Sequence, residues 1–164
     1  MALKAAMTGH LVLSTLHTNT APLAVHRLAT MGVKLFLISA ALRLVVAQRL
    51  VRLLCPKCKV QIQLSAEQAC HLSAEERKRL GTIWKSAGCP ECDSIGFKGR
   101  RAVLEVMPFK SFQMHDLLKD NVNPDLILKQ AQAEGLLTLR SSALELIEQG
   151  LTSFDEGFSI YNSD

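Results

Sequence analysis

The sequence predicts an α/β fold at the N-terminal end, a four-cysteine metal-binding insertion in the middle, and a helical subdomain at the C-terminal end. Three observations carry this. Residues 11–16 (Leu-Val-Leu-Ser-Thr-Leu) form a short apolar, partly β-branched run, followed by a polar cluster and an amphipathic helix pattern, which is the half-unit of an α/β sheet. Two matched Cys-x-x-Cys pairs stand at Cys55-Pro56-Lys57-Cys58 and Cys89-Pro90-Glu91-Cys92. After Pro108 the chain reads as a succession of helices separated by cap signals. The expected divisions are 1–54, 55–97 and 98–164.

The run at 11–16 is expected to be a buried strand ending in His17-Thr18-Asn19-Thr20. Pro22 suits the first turn of the next helix, which carries Ala24, Leu28 and Met31 on one face and closes at Gly32. Residues just beyond a strand's carboxyl end line the ligand crevice of such sheets. His17 and its hydroxyl neighbours Thr15 and Thr18 are therefore candidate site residues. A second, largely apolar helix is expected over 35–49, and a strand over 50–54 leading into the first cysteine pair.

A Cys-x-x-Cys turn holds two sulfurs on one side of a tight loop. Two such turns facing each other supply four thiolates in the tetrahedral arrangement preferred by Zn²⁺, and less readily by iron. Cys55, Cys58, Cys89 and Cys92 are thus candidate metal ligands, with Gly88 free to take the positive φ of a metal knuckle. A thioredoxin-like couple would need a single motif at a strand-to-helix junction, which two copies fit poorly. The thirty residues between the pairs exceed the usual spacing of about 15–20, so a subdomain must be inserted there. Ser65-Ala66-Glu67-Gln68 and Ser73-Ala74-Glu75-Glu76 each match a capping box, predicting short helices anchored by Leu80, Ile83 and Trp84. Metal removal is expected to loosen 55–92 and leave the helical tail folded.

Residues 96–100 then form a turn, and 101–107 return as a strand that stops at Pro108. Helices are expected over 112–119, 124–133 and 139–149. Ser153-Phe154-Asp155-Glu156 should cap a last helix, frayed at Gly157.

Composition narrows the function. The chain has 164 residues, is 48% hydrophobic and carries net charge +4, which suits a folded domain rather than a disordered one. From Glu134 onward six acids face one base, net −5, so the remainder carries +9. Much of that positive charge flanks the cysteines, where part of it can offset the formal −2 of a zinc tetrathiolate and the rest can face nucleic acid, acidic lipid or a neighbouring subunit. One Trp and one Tyr offer little for stacking on bases, so nucleic-acid binding is not expected. Cys70 reads as a free thiol, and reduced cysteines point to the cytoplasm. The longest apolar stretch, 33–47, is interrupted by Lys34, Ser39 and Arg43 and falls short of a membrane span. The opening Met1-Ala2-Leu3-Lys4 lacks a signal-peptide layout. His26, His71 and His115 read as exposed or packed residues. No Gly-x4-Gly-Lys-[Ser/Thr] phosphate loop and no Gly-x-Gly-x-x-Gly occurs in the sequence.

Met7-Thr8-Gly9-His10-Leu11-Val12-Leu13-Ser14-Thr15-Leu16-His17-Thr18-Asn19 resembles the histidine box of the secretion ATPases, the P-loop motors of type II secretion and type IV pilus assembly. The likeness continues through Arg27-Leu28, Met31-Gly32-Val33, Ala47-Gln48-Arg49-Leu50-Val51-Arg52 and both cysteine pairs. It also covers Gly96-Phe97-Lys98-Gly99-Arg100, Glu105, Glu134-Gly135-Leu136 and Gly150-Leu151-Thr152-Ser153. The cysteines point to the secretion and pilus-extension branch rather than the retraction motors. The resemblance implies the C-terminal part of a RecA-like P-loop domain that binds ATP and Mg²⁺. It also implies a homo-hexamer on the cytoplasmic face of the inner membrane, working with secretion or pilus platform proteins. His17, and with it His10, would then sense the γ-phosphate, with Thr15, Thr18, Gln48 and Arg49 near the nucleotide. The family's Walker A loop, Asp box, Walker B segment and arginine fingers are absent here. The sequence resembles the final third of such a motor, and no ATP turnover is expected of it alone. A small zinc-bearing binding module or a docking subunit without enzymatic activity is the alternative.

Overall fold

A computed structural model describes residues 2–119 and 121–162 and shows a mixed helix and strand architecture. It divides into two units, each discontinuous in sequence: Met1–Ala47 with Leu104–Thr138, and Gln48–Val103 with Leu139–Asp164. Both long strands, β1 (Leu44–Leu54) and β4 (Phe97–Pro108), contribute residues to each unit, and they pair as a two-stranded ladder.

The first unit holds the helices α1 (Ala2–Met7), α2 (Ala21–Thr30), α3 (Leu35–Ala41), α6 (Phe112–Asp116) and α7 (Pro124–Ala133). Pro22 opens α2 and Pro124 opens α7, where a missing N–H is harmless. Asn123 caps α7 by accepting the Asp125 and Leu126 amides. α2 packs on α3 and α7, and α6 packs on α7. Val25, Ile38, Met107, Phe109, Met114 and Ile127 are fully buried in this core.

Three expectations fail in this unit or at its edge. Residues 11–16 are not a strand; the segment has no regular structure, and Leu11 and Leu13 are 89% and 86% exposed. A strand exists only where a neighbour accepts its backbone hydrogen bonds, and among the described residues none pairs with this one. The helix expected over 35–49 ends at Ala41, because the β-branched and leucine-rich stretch from Leu44 joins β4 instead. The Phe109 amide also donates to the Arg43 carbonyl at 2.8 Å, locking the turn out of the helix. The helix expected over 112–119 is shorter, with α6 ending at Asp116.

In the second unit an antiparallel hairpin, β2 (Val60–Gln63) with β3 (Thr82–Lys85), pairs Ile62 with Ile83. Its loop contains α4 (Ala66–Cys70) and α5 (Ala74–Arg79), and both predicted capping boxes are present at Ser65/Gln68 and Ser73/Glu76. Leu72, Leu80 and Ile83 share one apolar core with Leu144, Ile147 and Phe154. The last three come from α8 (Leu139–Glu148) and α9 (Phe154–Asn162). α9 does not fray at Gly157. There the helix runs against α8 so closely that a Cβ would sit 2.7 Å from Ile147 Cδ1. Ser153 accepts the Glu156 amide at 3.3 Å as a cap, while the Glu156 carboxylate turns away to Arg52.

Candidate metal centre

The two cysteine turns are built by backbone bonds. In the first, the Cys58 and Lys59 amides donate to the Cys55 carbonyl at 3.3 and 3.0 Å. In the second, a 3₁₀ turn over Pro90–Cys92 is followed by Asp93 and Ser94 in the left-handed region, φ 51° and 60°. Gly88 has φ 93°, and a Cβ there would come within 2.7 Å of the Ser94 carbonyl oxygen. Glycine is therefore required at the knuckle on both conformational and steric grounds. The Cys55 amide donates to the Gly96 carbonyl at 3.0 Å and ties the turns together.

All four sulfurs lie within 4.8 Å of one another. Cys55–Cys89, Cys58–Cys92 and Cys89–Cys92 Sγ distances are 3.9, 3.8 and 3.7 Å. A tetrahedron of sulfurs about 2.3 Å from a central Zn²⁺ has edges of about 3.8 Å, so the donor set fits a closed four-coordinate ion. No pair is a disulfide, and all five cysteines are free. Cys55 and Cys92 are buried, while Cys58 and Cys89 are half-buried. The Gly96 and Cys89 amides donate to Cys92 Sγ at 3.2 and 3.3 Å. Such bonds orient a thiolate and delocalise its charge.

Burial opposes ionisation of Cys92, but the Cys89 and Gly96 amides outweigh it and bring that thiol down to about 7. Burial, reinforced by the hydrogen bond with Cys92, pushes Cys89 up to about 12.

Lys59, directly after Cys58, donates to the Gly150 carbonyl at 2.7 Å and lies 4.5 Å from the Trp84 ring centroid. This clasp joins the first knuckle to β3 and to the end of α8. Arg52 engages Glu156, and Lys98 lies 3.9 Å from Glu91. Arg52, Lys59 and Lys98, three of the basic residues around the cysteines, thus have partners within the chain.

The other candidate residues belong to both units. His10 is exposed, with Nδ1 3.2 Å from Thr8 Oγ1 and 3.3 Å from the Ala5 carbonyl oxygen. His17 and Thr15 are exposed and Thr18 is half-buried, all in the irregular segment before α2. Gln48 is exposed and Arg49 half-buried on β1, in the second unit. His71 packs on Phe158 with ring centroids 4.7 Å apart, and His115 contacts Ser39 Oγ at 3.2 Å. Sequence reasoning assigned no role to Glu105, which is 2% exposed and accepts the Ala21 amide at 2.7 Å. The signal was an acid on the inward side of an alternating strand, flanked by Val103 and Met107.

Among the described residues no helix is long and apolar enough to cross a membrane. Residues 1–159 match the model of the family described as Type II/IV secretion system protein. The chain is 40% identical over 158 residues to the type IV pilus assembly ATPase PilB of Myxococcus xanthus, covering 95% of this chain and 28% of that protein. It is 41% identical over 157 residues to the type IV pilus assembly ATPase TfpB of Acinetobacter baylyi, covering 95% and 27%. It is 38% identical over 156 residues to the type II secretion system ATPase E of Vibrio cholerae, covering 95% and 30%. The chain therefore spans less than a third of the length of each of these relatives. With the family model matched along nearly its whole length, the chain belongs to the Type II/IV secretion system protein family.

Proposed function

We propose that this chain is the C-terminal part of the RecA-like motor of a secretion or pilus-assembly ATPase, bearing the histidine box and a structural zinc site. The observation that carries the reading is the match over 95% of the chain to proteins named as such ATPases. Cys55, Cys58, Cys89 and Cys92 hold Zn²⁺, which closes the two knuckles as a cross-link and leaves no open coordination position for catalysis. His17, with His10 nearby in sequence, contacts the γ-phosphate or the attacking water of bound ATP and reports its loss. Thr15 and Thr18 in the first unit, and Gln48 and Arg49 in the second, are carried over from the family resemblance as nucleotide-binding residues. ATP and Mg²⁺ are held chiefly by a phosphate loop that this sequence does not contain, so the chain alone does not turn over ATP.

The working form is a homo-hexamer in the cytoplasm, joined to the inner membrane through secretion or pilus platform proteins. The test is to replace the matching segment of a full-length relative by residues 1–159 and measure ATP hydrolysis. Activity in the chimera, its loss in His17→Ala, and background turnover by the 164-residue chain support the reading. Turnover by the chain alone, or a chimera indifferent to His17→Ala, refutes it.

A further inference from the structure

Glu105 is a carboxylate where a strand residue of this register would ordinarily be apolar. It lies in β4 and is 2% exposed, a position an acid holds only when donors satisfy it. Its Oε1 accepts the Ala21 amide at 2.7 Å, across 84 residues of sequence. Ala21 is the first residue of α2, which is ten residues long. The residue that should cap this helix is Thr20. It has the extended backbone of an N-cap (φ −136°, ψ 163°), yet its side chain makes no cap bond. The buried carboxylate takes over that task and faces the positive end of the helix dipole. α2 therefore begins at a point dictated by β4, and His17-Thr18-Asn19 projects from that point.

We propose that Glu105 is the positioning residue of the histidine loop. It pins the first turn of α2, so that the four residues from His17 to Thr20 leave a fixed anchor and not a frayed helix end. The proposal rests on the reading of His17 given above; Glu105 itself touches no substrate. A loop held at one end by a solvent-excluded charge-assisted bond keeps its register while its exposed portion adapts to a ligand.

Two measurements test this. In the 164-residue chain, amide exchange is compared for the parent, Glu105→Ala and Glu105→Gln. Faster exchange confined to Ala21–Val25 in Glu105→Ala, with Ile127 and Ala131 still protected, supports the anchor. Unchanged exchange at Ala21–Val25, or loss of protection throughout the first unit in both variants, overturns it. In the full-length chimera described above, Glu105→Ala should lower kcat about tenfold or more while KM for ATP moves less than about twofold. Glu105→Gln keeps an acceptor oxygen and should recover most of that loss. A chimera in which His17→Ala abolishes turnover and Glu105→Ala does not refutes the positioning role alone. If His17→Ala is silent, the histidine reading fails, and the exchange experiment still decides whether Glu105 anchors the loop.

Discussion

Arg52 and Glu156, 104 residues apart in sequence, form a forked pair. Nη2 donates to Oε2 at 2.7 Å and Nε to the same oxygen at 3.0 Å, while the Arg52 main-chain amide donates to Oε1 at 3.1 Å. The guanidinium also stacks over Phe97, 4.3 Å from its centroid. The hydrogen bond from Arg52 holds Glu156 below the ordinary carboxylate range, and Glu156 raises Arg52. One side chain thus ties β1, the second knuckle's exit and α9 together.

That geometry predicts a measurable coupling. A double-mutant cycle on Arg52→Ala and Glu156→Gln, read by chemical denaturation, should give an interaction of about 1 kcal/mol, as fits a forked but partly exposed pair. Additive single effects would show the pair to be a surface contact without energetic weight.

Acid should weaken the second unit through Glu76. The hydrogen bond from Arg140 leads the causes that lower its carboxyl from 4.5 to about 2, against the opposing effect of burial and with help from the Ser73 amide. A group whose folded pKa is depressed stabilises the fold above its unfolded value and loses that stabilisation as pH falls through the folded one. Stability should therefore drop between pH 4.5 and 2, by about 1 kcal/mol after solvent screening. Glu76→Gln should lower stability at neutral pH and flatten this slope; an unchanged slope removes the assignment.

Metal analysis should find one zinc per chain, and cobalt substitution should give the thiolate-to-metal absorption of a tetrahedral sulfur site. Cys92→Ser removes the sulfur that accepts two backbone amides and should abolish stoichiometric binding. Chelation should loosen the hairpin and α8–α9, which share the Leu72–Ile83–Ile147–Phe154 core, and leave α2, α3 and α7 folded. Equal melting of α2 and α9 on chelation would contradict this.

Leu13 is 86% exposed on an apolar segment of no regular structure that has no strand partner among the described residues, which favours strand pairing between copies. Leu13→Lys should reduce concentration-dependent association in sedimentation without shifting the melting temperature by more than a few degrees. A variant that associates as strongly as the parent would clear this segment.

Local signals were legible wherever the physics is local. Both capping boxes, the Pro-initiated helices, the Gly88 knuckle and each of the two Cys-x-x-Cys turns follow from side chains a few residues apart. Non-local pairing was hidden. The stretch from Leu44 has helical apolarity and strand composition at once, and only β4 decides between them. The hairpin β2–β3 surrounds two helices, so its partners lie about twenty residues apart with no turn signal between them. Residues 11–16 have the composition of a strand, but composition does not provide the neighbour. Metal removal was expected to spare the helical tail; the shared core puts α8 and α9 with the insertion and separates them from α6 and α7. Glu105 stood out only as part of the family likeness, because its role depends on an amide 84 positions away.

The interleaved order of the two units sets a timetable for the nascent chain. Residues up to Ala47 cannot complete their unit until those from Leu104 have emerged, and the stretch from Gln48 must wait for Leu139 onward. Emerging Cys55 and Cys58 have no second pair until Cys92 is made, and the apolar faces of β1 remain uncovered throughout. Neither unit can then be completed before the stretch from Leu104 onward has emerged, so the two finish close together, and a chaperone that shields β1 during that interval would act on yield without altering the final structure.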